Sequence, residues 1–282
     1  QIAFDNGGDK DKLLTVYRWG TGSWTTFAKA FYGCDNLSVT APDLPDLSNV
    51  FILNNMFRDC TAMTGIGSNF PLWNTRNVTE FINMFRNCRD FNEPIGDWDT
   101  RNVTFMTGMF FGAIAFNQPI GNWNTRNVVN TRNMFRKGLP SSPPAFDQSL
   151  ADWNIRSLKF ADDMFLDGGL STPNYDALLV SWGNQTGAEF GVSINFGNSR
   201  YTAGGAAAVA KNTLVNTYGW TIVDGGAAVF TPLSKTELQT AVDLWVSNEA
   251  QARVLYGEIN TWNVVNITDM QDLFRNKTTF NS

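Results

Sequence analysis

Three sets of residues in this 282-residue chain have types and spacings that could do chemistry: the cysteines, several paired carboxylates, and arginines that follow tryptophans. Cys34, Cys60 and Cys88 are spaced by 26 and 28 residues with no partner histidine, which fits no zinc pattern. They leave packing, a disulfide between neighbouring segments, or a redox thiol as readings. The chain contains no histidine, so Ser–His and Cys–His nucleophilic sites and His-containing zinc sites are excluded. Asp162 with Asp163, and Asp97 with Asp99, keep the residue types of a glycosidase pair. Each sits beside an expected helix start or turn, however, where a solvated capping carboxylate is the ordinary reading. Asp5, Asp9 and Asp11 surround two glycines and could hold calcium, but their spacing is not that of an EF-hand loop and a hairpin turn is the simpler expectation. We therefore expect no enzyme, no metal and no cofactor. The arginines are Arg76, Arg101, Arg126 and Arg156, whose guanidinium groups are suited to bidentate contacts with acidic partners.

What must position these residues is a repeat. Met84-Phe85, Met109-Phe110 and Met134-Phe135 lie 25 residues apart, and Met164-Phe165 follows after 30, the excess matching the insertion LPSSPPA at 139–145. Met56-Phe57 precedes by 28, Phe31 marks a weaker copy, and Phe274 marks one more downstream. A fixed period of this size is the signature of a solenoid, in which a unit that cannot bury its apolar face alone stacks on its neighbours.

Each unit has two halves. One carries apolar residues at i, i+3 and i+7, as in Val50, Leu53, Phe57; Val78, Phe81, Phe85; Val103, Met106, Phe110; Leu158, Ala161, Phe165; and Ile267, Met270, Phe274. That stripe predicts a helix of about two turns, with Asn77, Asn102 and Asn127 as N-caps. Of the N-x-[ST] motifs at Asn36, Asn77, Asn102, Asn184, Asn266 and Asn276, those at 77, 102 and 266 fall at this helix start and read as capping chemistry. The other half, FNEPIGDW or FNQPIGNW, reads as a short strand and a turn, because Pro94 and Pro119 exclude a long central ladder. The cysteines now find a place: each lies three residues after the repeat Phe, in a slot that later holds Ala113, Gly138 and Gly168. A slot that accepts Cys, Ala and Gly demands a small side chain, so packing is the leading reading of the thiols.

The expected organisation is an N-terminal capping strand region at 1–22, a repeat solenoid at 23–170, an α/β cap at 171–226, a linker and helical start at 227–256, and the beginning of a second array at 257–282. In the cap, Tyr175, Leu178, Leu179 and Trp182 predict an amphipathic helix, GVSINFG a strand, AAAVAKNTLVNTYG a helix and WTIVDGG a final strand. Ser234 and Glu237 form a capping box that opens a further helix, with a second at 247–256. No signal-peptide pattern is visible and the chain starts at Gln1, so a processed or partial chain, continuing into a second array, is expected. Net charge is −5 and no run of 18 apolar residues occurs, which argues against a general nucleic-acid binder and against membrane insertion.

The stretch NMFRNCRDFNEPIGDWDTRNVTFMTGMF resembles the BspA-like leucine-rich-repeat surface proteins, whose units read approximately W-[ND]-T-S-N-V-T-N-M-x-x-M-F-x-x-[CA]-x-x-F-N. The segments LSTPNYDALLVSWGNQ to NTYGWTIVDGG and SKTELQTAVDLWVSNEAQARVLYGEINTWNV are also similar to segments that accompany such arrays, so the resemblance covers nearly everything from residue 12 onward. It implies an α/β, leucine-rich-repeat-like solenoid of strand–short helix coils, in a secreted or surface-displayed protein of a bacterium, protist or virus that works in adhesion. It supplies no catalytic residues.

One departure from that pattern concerns function. Where the family usually has Ser, this chain has Arg76, Arg101, Arg126 and Arg156, a column of like charges about 5 Å apart if the units stack. Either nearby Asp97, Asp99 and Asp152 and stacking on the adjacent Trp rings compensate it, or it binds an anionic partner, an acidic glycan or a carboxylate-rich protein. The expected function is thus adhesion to a protein or glycan on a surface, at the outside of a cell or virion. The alternative is an assembly component, a virion decoration, fibre or surface-layer element that contacts copies of itself or other subunits.

Overall fold

The computed structural model describes residues 3–138, 146–203 and 205–277; the expected insertion at 139–145 and the last residues of the expected second array lie outside them. Successive copies of the repeat lie on one another in register. Ile52 bridges Glu80, Glu80 bridges Phe105, Phe105 bridges Asn130 and Asn130 bridges Phe160, every step parallel. The backbone N–H of each repeat Phe donates to the coil that follows: Phe31 to Met56, Phe57 to Met84, Phe85 to Met109, Phe110 to Met134 and Phe135 to Met164, at 2.8–3.0 Å.

The half expected to be helical is not helical. Among the described residues of 23–170 the one helical piece is a 3₁₀ turn at Phe70–Leu72. Hydrogen bonding alternates along the chain instead: the N–H groups of Phe81, Asn83, Phe85 and Asn87 donate to Phe105, Thr107, Met109 and Phe111 of the next coil, while those of Met84, Arg86 and Cys88 close turns onto the carbonyl three residues back. A helix would send each N–H to the residue four back and leave nothing for the neighbouring coil. Here a turn closes every two residues and every second turn carries a left-handed residue, where the chain supplies Asn, Asp or Gly: Asn55 and Asp59, Asn83 and Asn87, Gly108 and Gly112, Asp163 and Asp167, all with φ of 53–68°. Four-residue turns put apolar side chains at i, i+3, i+4 and i+7, as a helix does, so Phe81, Met84, Phe85 and Cys88 are all buried. Asn77, Asn102 and Asn127 accordingly cap no helix; their side-chain amides donate to Ser48, Arg76 and Arg101 carbonyls of the preceding coil, each at 2.7 Å. The FNEPIGDW half forms no strand either; it turns onto itself, with Trp98 N–H on Ile95 O. Its glycine is required by close approach, since a Cβ on Gly96 would stand 2.5 Å from Pro119 O of the next coil.

The core is a set of columns. Phe31, Phe57, Phe85, Phe110, Phe135 and Phe165 stack with ring centroids 5.1–5.9 Å apart. Phe91, Phe116 and Phe146 form a second row at 6.0 and 6.1 Å. The indole N–H groups of Trp98, Trp123 and Trp153 donate to Phe70, Ile95 and Ile120 carbonyls of the coil before, at 2.8–3.1 Å. Buried Thr75, Thr100 and Thr125 donate in the other direction, to Asp99, Asn124 and Asn154 carbonyls. These tryptophans and threonines each find their partner one coil away, which locks the register.

Short elements close both ends. β1 (Thr15–Val16) pairs in parallel with β2 (Ser38–Val39) at the start. After residue 170, α1 (Thr172–Gly183) buries Tyr175, Leu178, Leu179 and Trp182. β3 (Ser193–Asn195) bridges Ala161 through Ile194, β4 (Tyr201–Thr202) and α2 (Ala206–Tyr218) follow, and β5 (Thr221–Val223) pairs with β3. This region continues the core columns: Phe196 stacks 5.6 Å from Phe165, and Trp182 Nε1 donates to Leu150 O at 3.1 Å. Its buried Asp224 is neutralised by Lys211 and accepts from Tyr175 Oη, both at 2.7 Å.

The stretch from 227 expected as a linker is structured: β6 (Ala227–Ala228) pairs with β4, and Phe230 is buried in a second cluster with Leu238, Ala241, Val242, Ala252, Tyr256 and Leu273. That cluster is built by α3 (Lys235–Ser247), capped by Ser234 Oγ accepting from Glu237 N–H, and α4 (Glu249–Tyr256). In the copy of the repeat that follows, Met270 is 47% exposed where its counterpart Met106 is 0%.

Two substitutions test this architecture. Phe110→Ala should lower the unfolding free energy by about 3–5 kcal/mol, read by denaturant unfolding. Asn83→Ala should destabilise by about 1–2 kcal/mol while Asn83→Gly is close to neutral, because the site is left-handed; a helix would give the opposite order.

Candidate functional site

The four arginines named above occupy one turn in successive coils. The side-chain oxygen two residues before each accepts its backbone N–H: Asn74 for Arg76, Asp99 for Arg101, Asn124 for Arg126 and Asn154 for Arg156, at 3.0–3.4 Å. The residue after each reaches back one coil, so that Asn102, Asn127 and Ser157 donate to the carbonyls of Arg76, Arg101 and Arg126 at 2.7 Å. The backbone is thereby held while the guanidinium groups are left in solvent; all four residues are exposed. None of them stacks on a tryptophan, because the Trp rings that were expected to receive them are inside the core, Trp98 being 3% exposed.

Compensation of the four is uneven. Arg101 Nε pairs with Asp99 at 2.8 Å and Arg156 Nε donates to Thr186 O at 2.9 Å. Arg76 and Arg126 have no side-chain partner among the described residues. Burial pushes the Asp99 carboxyl up, but hydrogen bonds and charge from Arg101, with the field of Arg76, outweigh it and hold that acid below the usual carboxylate range. Arg101 and Arg126 come together on one polar depression of about 570 Å³, with Asp97, Asp99, Asn122 and Asn124 in its walls. Arg76 and Arg156 lie outside that lining.

The remaining candidates are occupied structurally. Asp162 pairs with Arg132, and Asp163 with Arg136 at 3.4 Å. Asp5, Asp9 and Asp11 pair with Lys29, Lys12 and Lys10, and a 3₁₀ turn at Lys10–Lys12 stands where a hairpin was expected. No three His, Cys, Asp or Glu side chains among the described residues come together as a metal site. Cys34, Cys60 and Cys88 are free and buried, and the Cys60 and Cys88 thiols donate to Phe31 and Phe57 carbonyls of the previous coil at 2.9 Å.

A further column escaped the sequence reading. The residue after each repeat Phe points outward and is Tyr32, Arg58, Arg86, Phe111 and Arg136 in consecutive coils. Arg58 lies 4.8 Å over Tyr32, and Phe111 is flanked by Arg86 at 3.8 Å and Arg136 at 5.8 Å. Its mark in the sequence is Met-Phe-Arg in three copies, but apolar periodicity singles out the buried Phe and leaves the outward neighbour unmarked.

Residues 7–96, 52–177 and 245–282 match the family described as Mycoplasma protein of unknown function, DUF285. No curated protein and no solved structure matches the chain.

The thiols give a pH prediction. Burial raises Cys88 well above, and Cys60 far above, the ordinary value of 9.0, so the unfolded chain loses these protons first. Their contribution to stability is complete below pH 9 and declines above it, by about 1.4 kcal/mol per pH unit for each thiol still protonated in the folded chain. Urea unfolding between pH 8 and about 10.5 should show this decline, and Cys60→Ala should remove one thiol's share of it, leaving that of Cys88.

Proposed function

The chain belongs to the DUF285 family, and we propose that it is an extracellular, BspA-like binding module: an α/β, leucine-rich-repeat-like solenoid that holds a protein or acidic glycan along its arginine column. The solenoid reading is supported by the parallel bridges from Ile52 to Phe160 and by the unbroken phenylalanine stack. The turn-ladder coil takes the place of the strand–short helix coil within that reading.

The observation that carries the binding role is the depression at Arg101 and Arg126. Two guanidinium groups from adjacent coils open on it, one of them without a side-chain partner among the described residues, between asparagine amides that can donate and accept. Such a wall suits carboxylate and hydroxyl groups, which take bidentate contacts from arginine and paired contacts from asparagine. A display role at a cell or virion surface follows from the family resemblance, and no catalytic step is assigned to the chain.

The test replaces Arg76, Arg101, Arg126 and Arg156 together by Ser. Their side chains leave the core untouched, so the unfolding free energy should stay within about 0.5 kcal/mol of the parent. Binding to cell surfaces and to arrays of sialylated and uronate glycans, measured by surface plasmon resonance, should fall at least about tenfold. Equal binding by a folded quadruple variant would remove the column from the site.

A further inference from the structure

The column formed by Tyr32, Arg58, Arg86, Phe111 and Arg136 has features that internal packing leaves unexplained. Three guanidinium groups are half-buried in it, and the Nε of each is buried without a hydrogen-bond partner, those of Arg58 and Arg136 facing Asp59 and Asp167 at ion-pair distance and that of Arg86 facing no acid of the described residues within it. The Nη1 groups of Arg58 and Arg136 already donate to Asn55 and Asn133 Oδ1 at 3.4 and 3.3 Å, so among the described residues Arg86 is the guanidinium with both Nη ends still able to donate. Arg58 has the Asp59 carboxylate 3.5 Å away, and Arg136 has Asp163 and Asp167 at 3.4 and 3.6 Å. Arg86 has no acceptor and no ion pair among the described residues. It is held between the charge of Arg58 in one coil and the ring of Phe111 in the next, and burial followed by the Arg58 charge lowers its proton affinity. The acid whose charge reaches Arg86, Asp59, is already engaged by Arg58 and by Asn87 Nδ2 at 2.6 Å. A positive charge partly removed from water, beside a like charge and with only the field of a shared carboxylate to offset it, is stabilised by an oxyanion brought from outside.

The surroundings select the source of that oxyanion. A sugar is usually gripped by open aromatic faces, but most rings on this side already carry guanidinium groups: Tyr32 carries Arg58, Phe111 carries Arg86 and Arg136, and Phe160 carries Arg132 at 4.7 Å, which leaves Phe105 without one among the described residues. What remains open is apolar edge. In the outward column six residues earlier in each coil, Ile52, Glu80, Phe105, Asn130 and Phe160, the three apolar members are 37%, 36% and 42% exposed, and the Glu80 carboxylate is held by Asn54 Nδ2 at 2.6 Å. Arginine with exposed aromatic and aliphatic side chains is the composition of a protein-binding surface. We propose that this strip docks an extended acidic segment of a partner protein, its carboxylates meeting the Nη ends of Arg86, Arg58 and Arg136 and its apolar side chains meeting Ile52, Phe105 and Phe160. This column is separate from Arg76, Arg101, Arg126 and Arg156, so the two readings stand or fall independently.

The probe is a short fluorescein-labelled peptide in which glutamates alternate with leucines, titrated by anisotropy against the whole chain at low and physiological salt. Arg86→Gln should weaken binding about tenfold or more, and Arg86→Lys should recover part of it. Asp59→Asn, which suits the left-handed backbone there (φ 59°), frees Arg58 and should tighten binding several-fold. The Arg101→Ser/Arg126→Ser pair should bind the peptide as the parent does, and oligoglucuronate should not displace it. The proposal is overturned if the peptide fails to bind the parent chain, if a folded Arg86→Gln variant binds equally well, or if oligoglucuronate displaces the peptide. Should Arg86→Gln not fold, the Asp59→Asn titration decides alone, and unchanged or weaker binding sinks the idea.

Discussion

The structure depends on how backbone N–H groups are divided between two uses. Alternate residues in the NMFR half give theirs to the next coil, and those between them close four-residue turns onto their own. The first use joins coils, and the second gives each coil its shape. Neither would suffice alone, since a coil of turns with no neighbour would leave half of its donors unsatisfied, and burying such donors is costly. The same arithmetic dictates residue types. The turns favour Asn, Asp or Gly where the chain is left-handed, Lys29 (φ 59°) being the exception in the first coil, and the coils need small residues where backbones meet, as at Gly96.

Stacking in register brings every residue face to face with its own copies, so each column has to tolerate itself. Phenylalanine does so by offset stacking, and tryptophan by passing its indole N–H one coil down. Asparagine does so by giving its amide to the preceding carbonyl. Cysteine fits because its thiol stays protonated and finds a carbonyl, which makes Cys60 and Cys88 packing groups of the coil and not reagents. Arginine is the case that does not stack freely. In one column aromatic rings dilute it, with Phe111 between Arg86 and Arg136. In the other, Arg76, Arg101, Arg126 and Arg156 are uninterrupted and stand out in water, where like charges are screened. The two columns therefore put guanidinium groups in different states: partly desolvated and stacked in one, solvated and beside a polar depression in the other.

The ends of the stack obey the same rule. The region after residue 170 stops the array by continuing its columns with other elements: Phe196 takes the place of a repeat Phe, Trp182 passes on the indole bond from within a helix, and β3 accepts the last parallel bridge. Only beyond those contacts does it turn polar, around the Lys211, Asp224 and Tyr175 network. The second cluster, built on α3 and α4, shares none of these columns and has its own small core around Phe230.

Much of this was written in the sequence. The period, the columns of Phe and Trp, the small slot that holds Cys34, Cys60 and Cys88, and the helices around Leu178, Leu214 and Leu238 could all be read from spacing, because burial alone decides them and burial leaves a periodic mark. The repeated NMFR segment could not be assigned from its apolar pattern, since a helix and a ladder of four-residue turns bury the same positions. The Asn and Asp residues at 55, 59, 83, 87, 163 and 167 held the distinction, through their tolerance of left-handed backbone. The sequence placed Arg101 and Arg126 in one column, but their shared depression, the pairing of Asp99, and the covering of Tyr32 and Phe111 by arginines arose from tertiary structure alone. Those features depend on which groups stand opposite each other between coils, and that is fixed by inter-coil hydrogen bonds joining residues about 25 positions apart.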